Sequence, residues 1–384
     1  MRVALVTESF LPQINGVTHS MMRVLEHLQR AGHTALVVTP GTAGQTPPTY
    51  AGAEVVTLPS FALPGYAEVR VATSGQLRLE KILRDFAPDV LHLAAPFALG
   101  HTAALVGERM GLPMVSIYQT EVPTYASRYG APQLEPLLWR RVRTVHNLTS
   151  MTLAPSTFAA DQLADHGVER VRLWGRGVDS TRFHPDKASR PWRAEVARNG
   201  EKIMLYVGRL AAEKQVDDLA VLADLPGTKL VIIGDGPRRA ELEAILPGAV
   251  FLGQQTGEAV PRAMASADLF VHTGVMETFC QSIQEALASG TPVVAPARGG
   301  PLDLVQPSHT GWLYPPGDLE ALRSHAQDLL GDDFKRAAFG EKGRAAVEHR
   351  TWPYMCELLL THYAEAINDA TAPRPAAWPW SLLA

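Results

Sequence analysis

Cysteine is nearly missing from this chain: Cys280 and Cys356 are the only two in 384 residues. They permit one disulfide at most and no zinc-finger spacing, which excludes a disulfide-stapled scaffold and leads us to expect a reducing, cytoplasmic setting. No apolar run reaches the roughly 18 residues that a membrane-spanning helix needs, and the apolar part of MRVALVTESF is too short for a signal peptide. Charge is also sparse. Charged residues make up 19% of the chain and the net charge is −4, so there is no general attraction to nucleic acid and no nucleic-acid partner is expected. The G-x-G-x-x-G dinucleotide fingerprint is absent, as is any D-x-D sequence or any His, Cys or Asp cluster with ligand spacing. A nicotinamide or flavin enzyme loses support, and neither a metal site nor a cofactor is expected.

What is present is a hydrophobic fraction of 46% in a chain long enough for about two domains with cores of their own. Its first half alternates short apolar runs with longer amphipathic ones: RVALVT, GVTHSMMRVLEHLQRAGH, TALVVTP, then DVLHL, PMVSIY, SMTLAP and RVRLW. This is a strand, helix, strand rhythm, with Gly32 and Gly111 placed to end helices. Residues 181–202 interrupt it with prolines and dense charge and read as a linker. A second series follows in KIMLYVGRL, TKLVIIGDGP, AVFLGQ, ADLFVHTG, TPVVAPARGG and GWLYPPGD. The expected fold is α/β, with two Rossmann-like parallel-sheet domains facing a central cleft. TWPYMCELLLTHYAEAIND reads as a C-terminal helix, and the tail as an irregular segment whose Trp378 and Trp380 pack back on the N-terminal domain, with insertion at a membrane interface as the alternative.

The segment METFCQSIQEALASG sets Glu277 and Glu285 eight residues apart. Thr278 and Gln281 match a T-x-x-Q capping box, so Thr278 is the expected N-cap, with Glu277 before the helix and Glu285 inside it. Amides of Phe279, Cys280 and Gln281 would then form an anion site suited to a diphosphate. The plain alternative is an exposed helix with scattered acids. In GRLAAEKQ, Arg209 and Lys214 follow a strand and supply a guanidinium and an ammonium for phosphate oxygens, although Glu213 permits a surface salt bridge with Lys214. Gly234 and Gly236 in IIGDGP let backbone approach a ligand closely, and Asn15-Gly16-Val17 offers a helix N-terminus on the other wall. The helix PLLWRRVRTVH joins Leu137, Leu138 and Trp139 to Arg140, Arg141 and Arg143, a pattern able to lie on anionic lipid or to serve as an ordinary basic face. His19, His92, His101 and His272 read as core or rim residues.

Taken in order, the glycine loop after the first strand, GRLAAEK, GDGP, the E-x7-E of ETFCQSIQE and ALASGTPVVA resemble the retaining GT-B glycosyltransferases of family four over nearly the whole chain. TESFLPQINGV, YQTEVPTYA, VRLWGRGVDSTRF and GRLAAEKQV look most like its bacterial GDP-mannose-dependent α-mannosyltransferases. The resemblance implies an acceptor domain over 1–180, a linker over 181–202, a nucleotide-sugar donor domain over 203–352, and a helix and tail over 353–384 that return to the first domain. It implies retaining, metal-independent transfer of a hexose, mannose from GDP-mannose, to a glycolipid or related acceptor at the cytoplasmic face of a membrane. A UDP-sugar donor and a non-catalytic nucleotide-binding scaffold are the alternatives.

By the same resemblance, Arg209 and Lys214 hold the diphosphate, Glu285 the ribose hydroxyls and Glu277 the donor sugar, with Phe279 and Cys280 amides beside it. Gly16, Gly234 and Gly236 would line the donor, and Asn15, Tyr118, Gln119 and Tyr125 the sugar or acceptor pocket. Two positions depart from the family pattern: Cys280 stands where glycine is common, and Gln119 where many relatives carry histidine. Gln119 can hydrogen-bond a hydroxyl but cannot shuttle a proton at neutral pH.

Overall fold

The computed structural model describes residues 1–13, 15–41, 45–63, 66–73, 75–121, 123–124 and 132–371. The apolar runs of the first half become the strands β1 (Arg2–Thr7), β2 (Thr34–Pro40), β3 (Thr49–Tyr50), β4 (Ala53–Leu58), β5 (Ser60–Leu63), β6 (Tyr66–Ala72), β7 (Val90–Ala94), β8 (Met114–Ile117), β9 (Met151–Ala154) and β10 (Val171–Leu173). Eight of them form one sheet in the order β10-β9-β8-β7-β1-β2-β4-β3, while β5 and β6 pair separately. β1 runs parallel to both β2 and β7, with Leu5 opposite Val37 and His92. Gly32 and Gly111, with φ of +73° and +66°, follow their helices in the left-handed conformation that suits glycine.

The second series forms β11 (Lys202–Val207), β12 (Thr228–Ile233), β13 (Val250–Gly253), β14 (Leu269–Val271), β15 (Val293–Pro296) and β16 (Gly311–Tyr314). The order is β13-β12-β11-β14-β15-β16 and every neighbouring pair is parallel. Helices cover both faces, which is why these strands read as continuous apolar runs. Along β11, Ile203 and Leu205 pack into one layer with Phe270 and Ile283, and Met204 and Tyr206 into the other with Leu230 and Leu322. The strand order reverses between β11 and β14. In a doubly wound sheet, ligands bind beyond the carboxyl ends of the strands at that switch point.

The chain forms two compact units. One comprises Met1–Ile117, Thr144–Thr152 and the chain from Leu358; the other comprises Tyr118–Arg143 and Leu153–Glu357. The last turns of the helix Trp352–Thr371 thus return to the N-terminal unit. There the fully buried Tyr363 shares a hydrogen bond with His92 Nδ1, and burial pulls His92 down to about 3, as suits a core histidine. Trp378 and Trp380 lie outside the described residues.

Residues 181–202 differ from the expected linker. They carry a short turn of helix at Pro185–Lys187 and the helix Arg190–Val196, capped by Ser189. Trp192 and Val196 are buried in the same layer as Ile203, so this stretch is part of the second core. Its charges lie on the outer side of a short amphipathic helix, and the prolines mark helix starts where the missing N–H is not needed.

Candidate active site

The carboxyl end of β11 continues as a loop through Gly208, Arg209 and Leu210, held beside the loop after β12. Gly208 N–H donates to Ile233 O at 3.0 Å and Leu210 N–H to Asp235 O at 2.9 Å. This contact explains the two glycines of GDGP. A Cβ on Gly234 would stand 1.9 Å from Gly208 O, and one on Gly236 2.3 Å from Leu210 O. Gly234 and Gly236, read from sequence as room for a ligand, make room for the backbone that carries Arg209 and Lys214. The ionic pairs also differ from the surface bridge that Glu213 permits in sequence. Glu213 is buried and pairs with Arg209, whereas Lys214 Nζ reaches across to Glu277 Oε1 at 2.5 Å. Thr273 Oγ1 donates to Lys214 O at 2.8 Å and fixes the base of that side chain.

The loop after β14 carries the second half of the site. Thr278 is not the N-cap. The helix is Gln281–Ala288 and its N-cap is Cys280, in the left-handed region at φ +72°. Thr278 Oγ1 donates instead to Gln119 O at 3.0 Å. The capping-box pattern fails because the backbone here is set from a distant loop: Gly300 N–H donates to Glu277 O at 2.8 Å, and a Cβ on Gly299 or Gly300 would come within 2.2 Å of Glu277 O or 2.0 Å of Phe279 O. The Cys280 side chain does not cap the first turn of this helix, which leaves its leading amides a place for an anion. The cap shifts two residues along, so Glu285 lies about 7.5 Å beyond it, where a cap at Thr278 would have given about 10 Å.

Electrostatics distinguish the two acids. Burial alone would raise the Glu277 carboxyl, but the Lys214 ammonium, followed by His272, outweighs it and brings the pKa down to about 2. Glu277 is therefore a fixed carboxylate, suited to accepting hydrogen bonds and unable to donate a proton near neutrality. Glu285 is half-buried, and burial lifts it to about 7 against the opposing effects of Gln281, Arg182 and Arg176.

Three contributors have no simple sequence signal. His272, expected to be an ordinary core residue, is buried with Nε2 3.1 Å from Glu277 Oε1; burial disfavours its charge, yet Cys280 and Glu277 bring its pKa up to about 9. Arg176 Nη2 donates to Gln119 Oε1 at 3.1 Å; burial lowers the guanidinium to about 10, opposed by Glu277, Cys280 and Glu285 nearby. Arg298 donates to Val275 O at 2.8 Å and lies 3.4 Å from Glu121 Oε1, tying the loop after β15 to the one after β8. Arg176 lies in WGRGVD and Arg298 in APARGG, both at loop glycines after strands, which was the one available hint. The expectation that no His/Cys cluster has ligand spacing also changes: donor atoms of His272, Glu277 and Cys280 lie within 4.8 Å of one another.

Gln119 is buried, with Oε1 on Arg176 and Nε2 without a hydrogen-bond partner, a donor available to a ligand. Tyr118 stacks near Trp139, and Tyr125 falls outside the described residues. Trp139 is not at the surface: it is 5% exposed and stacked 3.7 Å from the ring of His166. Of the predicted membrane-facing set, Arg140 and Arg143 are exposed, Arg141 is half-buried, and Leu134 and Leu137 are the exposed apolar neighbours. The residue spacing made Trp139 look peripheral because an amphipathic helix needs only one buried stripe, and the aromatic occupies it. In the N-terminal unit, Gly16 opens the helix Gly16–Arg30 as expected, and Asn15 Oδ1 takes the amides of Val17 and Thr18 at 3.0 Å each.

Residues 189–346 match the family model described as Glycosyl transferases group 1, and residues 14–182 match Glycosyltransferase Family 4. The chain is 44% identical over 383 residues to a GDP-mannose-dependent alpha-mannosyltransferase of Mycobacterium tuberculosis, covering 98% of this chain and 99% of that protein. It is 42% identical over 370 residues to the protein of the same name from Corynebacterium glutamicum, covering 96% and 89% respectively. Among solved structures, Anabaena Alr3699/HepE in complex with UDP-glucose superposes with a TM-score of 0.77 at 19% identity, over 95% of this chain and 100% of that one. At that identity the likeness concerns the fold.

Proposed function

Because the chain belongs to the group 1 glycosyltransferases of family four and has their GT-B fold, we propose that it transfers mannose from GDP-mannose, with retention, to a glycolipid or related acceptor. The observation that carries this reading is the identity of 42–44%, over nearly the full length, to proteins named as GDP-mannose-dependent alpha-mannosyltransferases. The sheet β11–β16 carries the donor site, and the sheet that holds β1 belongs to the acceptor side. Arg209 and Lys214 hold the diphosphate, in place of a divalent cation. Glu285 accepts from the ribose hydroxyls, and Glu277 and Gln119 Nε2 orient the sugar.

The chemistry follows from the fixed charges. As the bond from the anomeric carbon to the diphosphate oxygen breaks, negative charge grows on the leaving group, and a preorganised ammonium stabilises it more than it does the ground state. The acceptor hydroxyl attacks from the same face, and its proton passes to a donor phosphate oxygen. Glu277, already held by Lys214 and His272, is not the nucleophile. A mannosyl adduct on Glu277 in rapidly quenched reactions would overturn that sequence of steps.

The expected result with purified protein is selective thermal stabilisation by GDP-mannose and GDP over UDP-glucose and UDP. A ligand bound only by the folded state contributes about 2.7 kcal/mol at a hundredfold excess over Kd, which a melting curve resolves easily. Stabilisation by the uracil ligands alone would keep the fold and replace the donor. Donor affinity should also depend on pH. Glu285 is raised to about 7 in the free protein, so below that pH it is protonated and loses acceptor strength toward the ribose. GDP affinity is therefore expected to rise from pH 6 to pH 8, and calorimetry on Glu285→Gln should show that rise abolished.

No helix among the described residues is long and apolar enough to cross a membrane. We place the acceptor at a membrane surface that the protein meets peripherally, through exposed Leu134 and Leu137 with Arg140 and Arg143. Cosedimentation with vesicles containing anionic lipid, lost in Arg140→Glu/Arg143→Glu, is the expected outcome; equal binding by the variant would remove this face from the membrane contact.

A further inference from the structure

His272, Glu277 and Cys280 bring one nitrogen, one carboxylate oxygen and one thiol sulfur within 4.8 Å of one another. The imidazole is the telling member. It is 2% exposed; Nε2 is paired with Glu277 Oε1 at 3.1 Å, while Nδ1 is buried without a hydrogen-bond partner. Both ring nitrogens of a buried histidine normally have partners, and an exception in a native structure calls for a ligand, an ion or a chemical role. Cys280 Sγ stands beside it, 3.6 Å from Ser282 Oγ, and is 5% exposed. Glu277 Oε1 faces His272 and is held by Lys214 Nζ.

We infer that His272, Glu277 and Cys280 form a binding site for a thiophilic divalent cation of the zinc class, and that its occupancy takes Glu277 away from Lys214. The donor set selects the ion. Magnesium and calcium take oxygen ligands, whereas a nitrogen, a sulfur and a single carboxylate suit zinc or cobalt, with three protein ligands and a fourth position open. Binding forms coordinate bonds from the imidazole nitrogen, the carboxylate oxygen and Sγ; the thiol proton is released to solvent. A divalent cation at the Glu277 carboxylate repels the Lys214 ammonium beside it, so the Lys214–Glu277 pair opens. The transferase needs no metal in this account, and the ion is an inhibitor. The metal site stands on its own geometry; only its competition with the donor rests on the function proposed above.

The test titrates the full-length protein with Co2+ and follows the thiolate-to-cobalt charge-transfer band in the near ultraviolet. The band is expected in the wild type and in Cys356→Ser, and is expected to be lost in Cys280→Ser. A second readout needs no variant: Zn2+ should protect the peptide containing Cys280 from alkylation under conditions that unfold neither sample, with Cys356 unchanged, as read by mass spectrometry. Absence of the band with Cys280 alkylated equally with and without Zn2+ overturns the site, as does a band that survives Cys280→Ser. GDP-mannose should displace Co2+; a bound cobalt that it leaves in place keeps the metal site and counts against the donor assignment instead.

Discussion

Lys214→Ala is expected to lower turnover by about 100- to 1,000-fold, the loss typical of removing one preorganised donor from a developing anion, while GDP binding weakens far less. The reason lies in where the ammonium is held. Its Nζ is 2.5 Å from Glu277 Oε1, its backbone carbonyl accepts from Thr273, and its side chain is only 20% exposed. Such a group needs little reorganisation when charge appears on the diphosphate, which is why its effect belongs to the transition state more than to ground-state binding. The substitution also leaves Glu277 with His272 as its sole remaining cationic neighbour of this trio. A melting curve run beside the kinetics therefore separates lost catalysis from lost stability. Lys214→Arg should restore part of the rate at most, since a planar fork cannot occupy the place of a compact ammonium. Turnover within threefold of wild type in Lys214→Ala would show that this pair does not serve the leaving group.

How much of this was legible beforehand depends on the range of the interactions involved. β11 and β12 announce themselves because a strand buried on both faces must be apolar at every position, and MLYV and LVII are. Gly32 and Gly111 are readable for a similar reason, since helix termination is a local matter of backbone conformation. The start of the helix bearing Glu285 was not readable. A T-x-x-Q match predicts Thr278 from local hydrogen bonding alone, but the backbone there is set by Gly299 and Gly300, more than twenty positions on, and Thr278 donates to Gln119, far earlier in the chain. Arg176 and His272 were missed on the same ground. Beyond the loop glycines on either side of Arg176, nothing adjacent in sequence distinguishes it from a surface arginine, or His272 from a core histidine; the closeness of Gln119, Glu277 and Cys280 gives them their roles. Trp139 shows the converse error, in which a pattern that fits a membrane face is equally the pattern of a helix with one buried stripe.

The second large effect is expected at Gly234, a residue that touches no ligand in this account. Gly234→Ala places a Cβ 1.9 Å from Gly208 O, a backbone atom that cannot rotate away, at a φ of +142° that side-chain-bearing residues rarely adopt. Forcing a residue into such a region costs on the order of 1–3 kcal/mol, and overpacking typically adds about 1–3 kcal/mol. The combined loss is a large share of the roughly 5–15 kcal/mol that holds a typical protein folded. Relief requires the loop after β11 to move away from the loop after β12, breaking the bonds from Gly208 N–H to Ile233 O and from Leu210 N–H to Asp235 O. Arg209 lies between those two anchors and Lys214 follows, so the displacement reaches both cations. Gly32→Ala is the matched control: its φ is +73°, but no atom lies within 4 Å of the added Cβ, so only the conformational cost applies. Calorimetric melts and GDP titrations on the two variants should show a modest fall in stability and intact binding for Gly32→Ala, against a much larger fall and lost binding for Gly234→Ala. If Gly234→Ala bound GDP like the wild type, the loop pairing would not be what positions the diphosphate cations, and Arg209 and Lys214 would owe their placement to Glu213 and Glu277 alone.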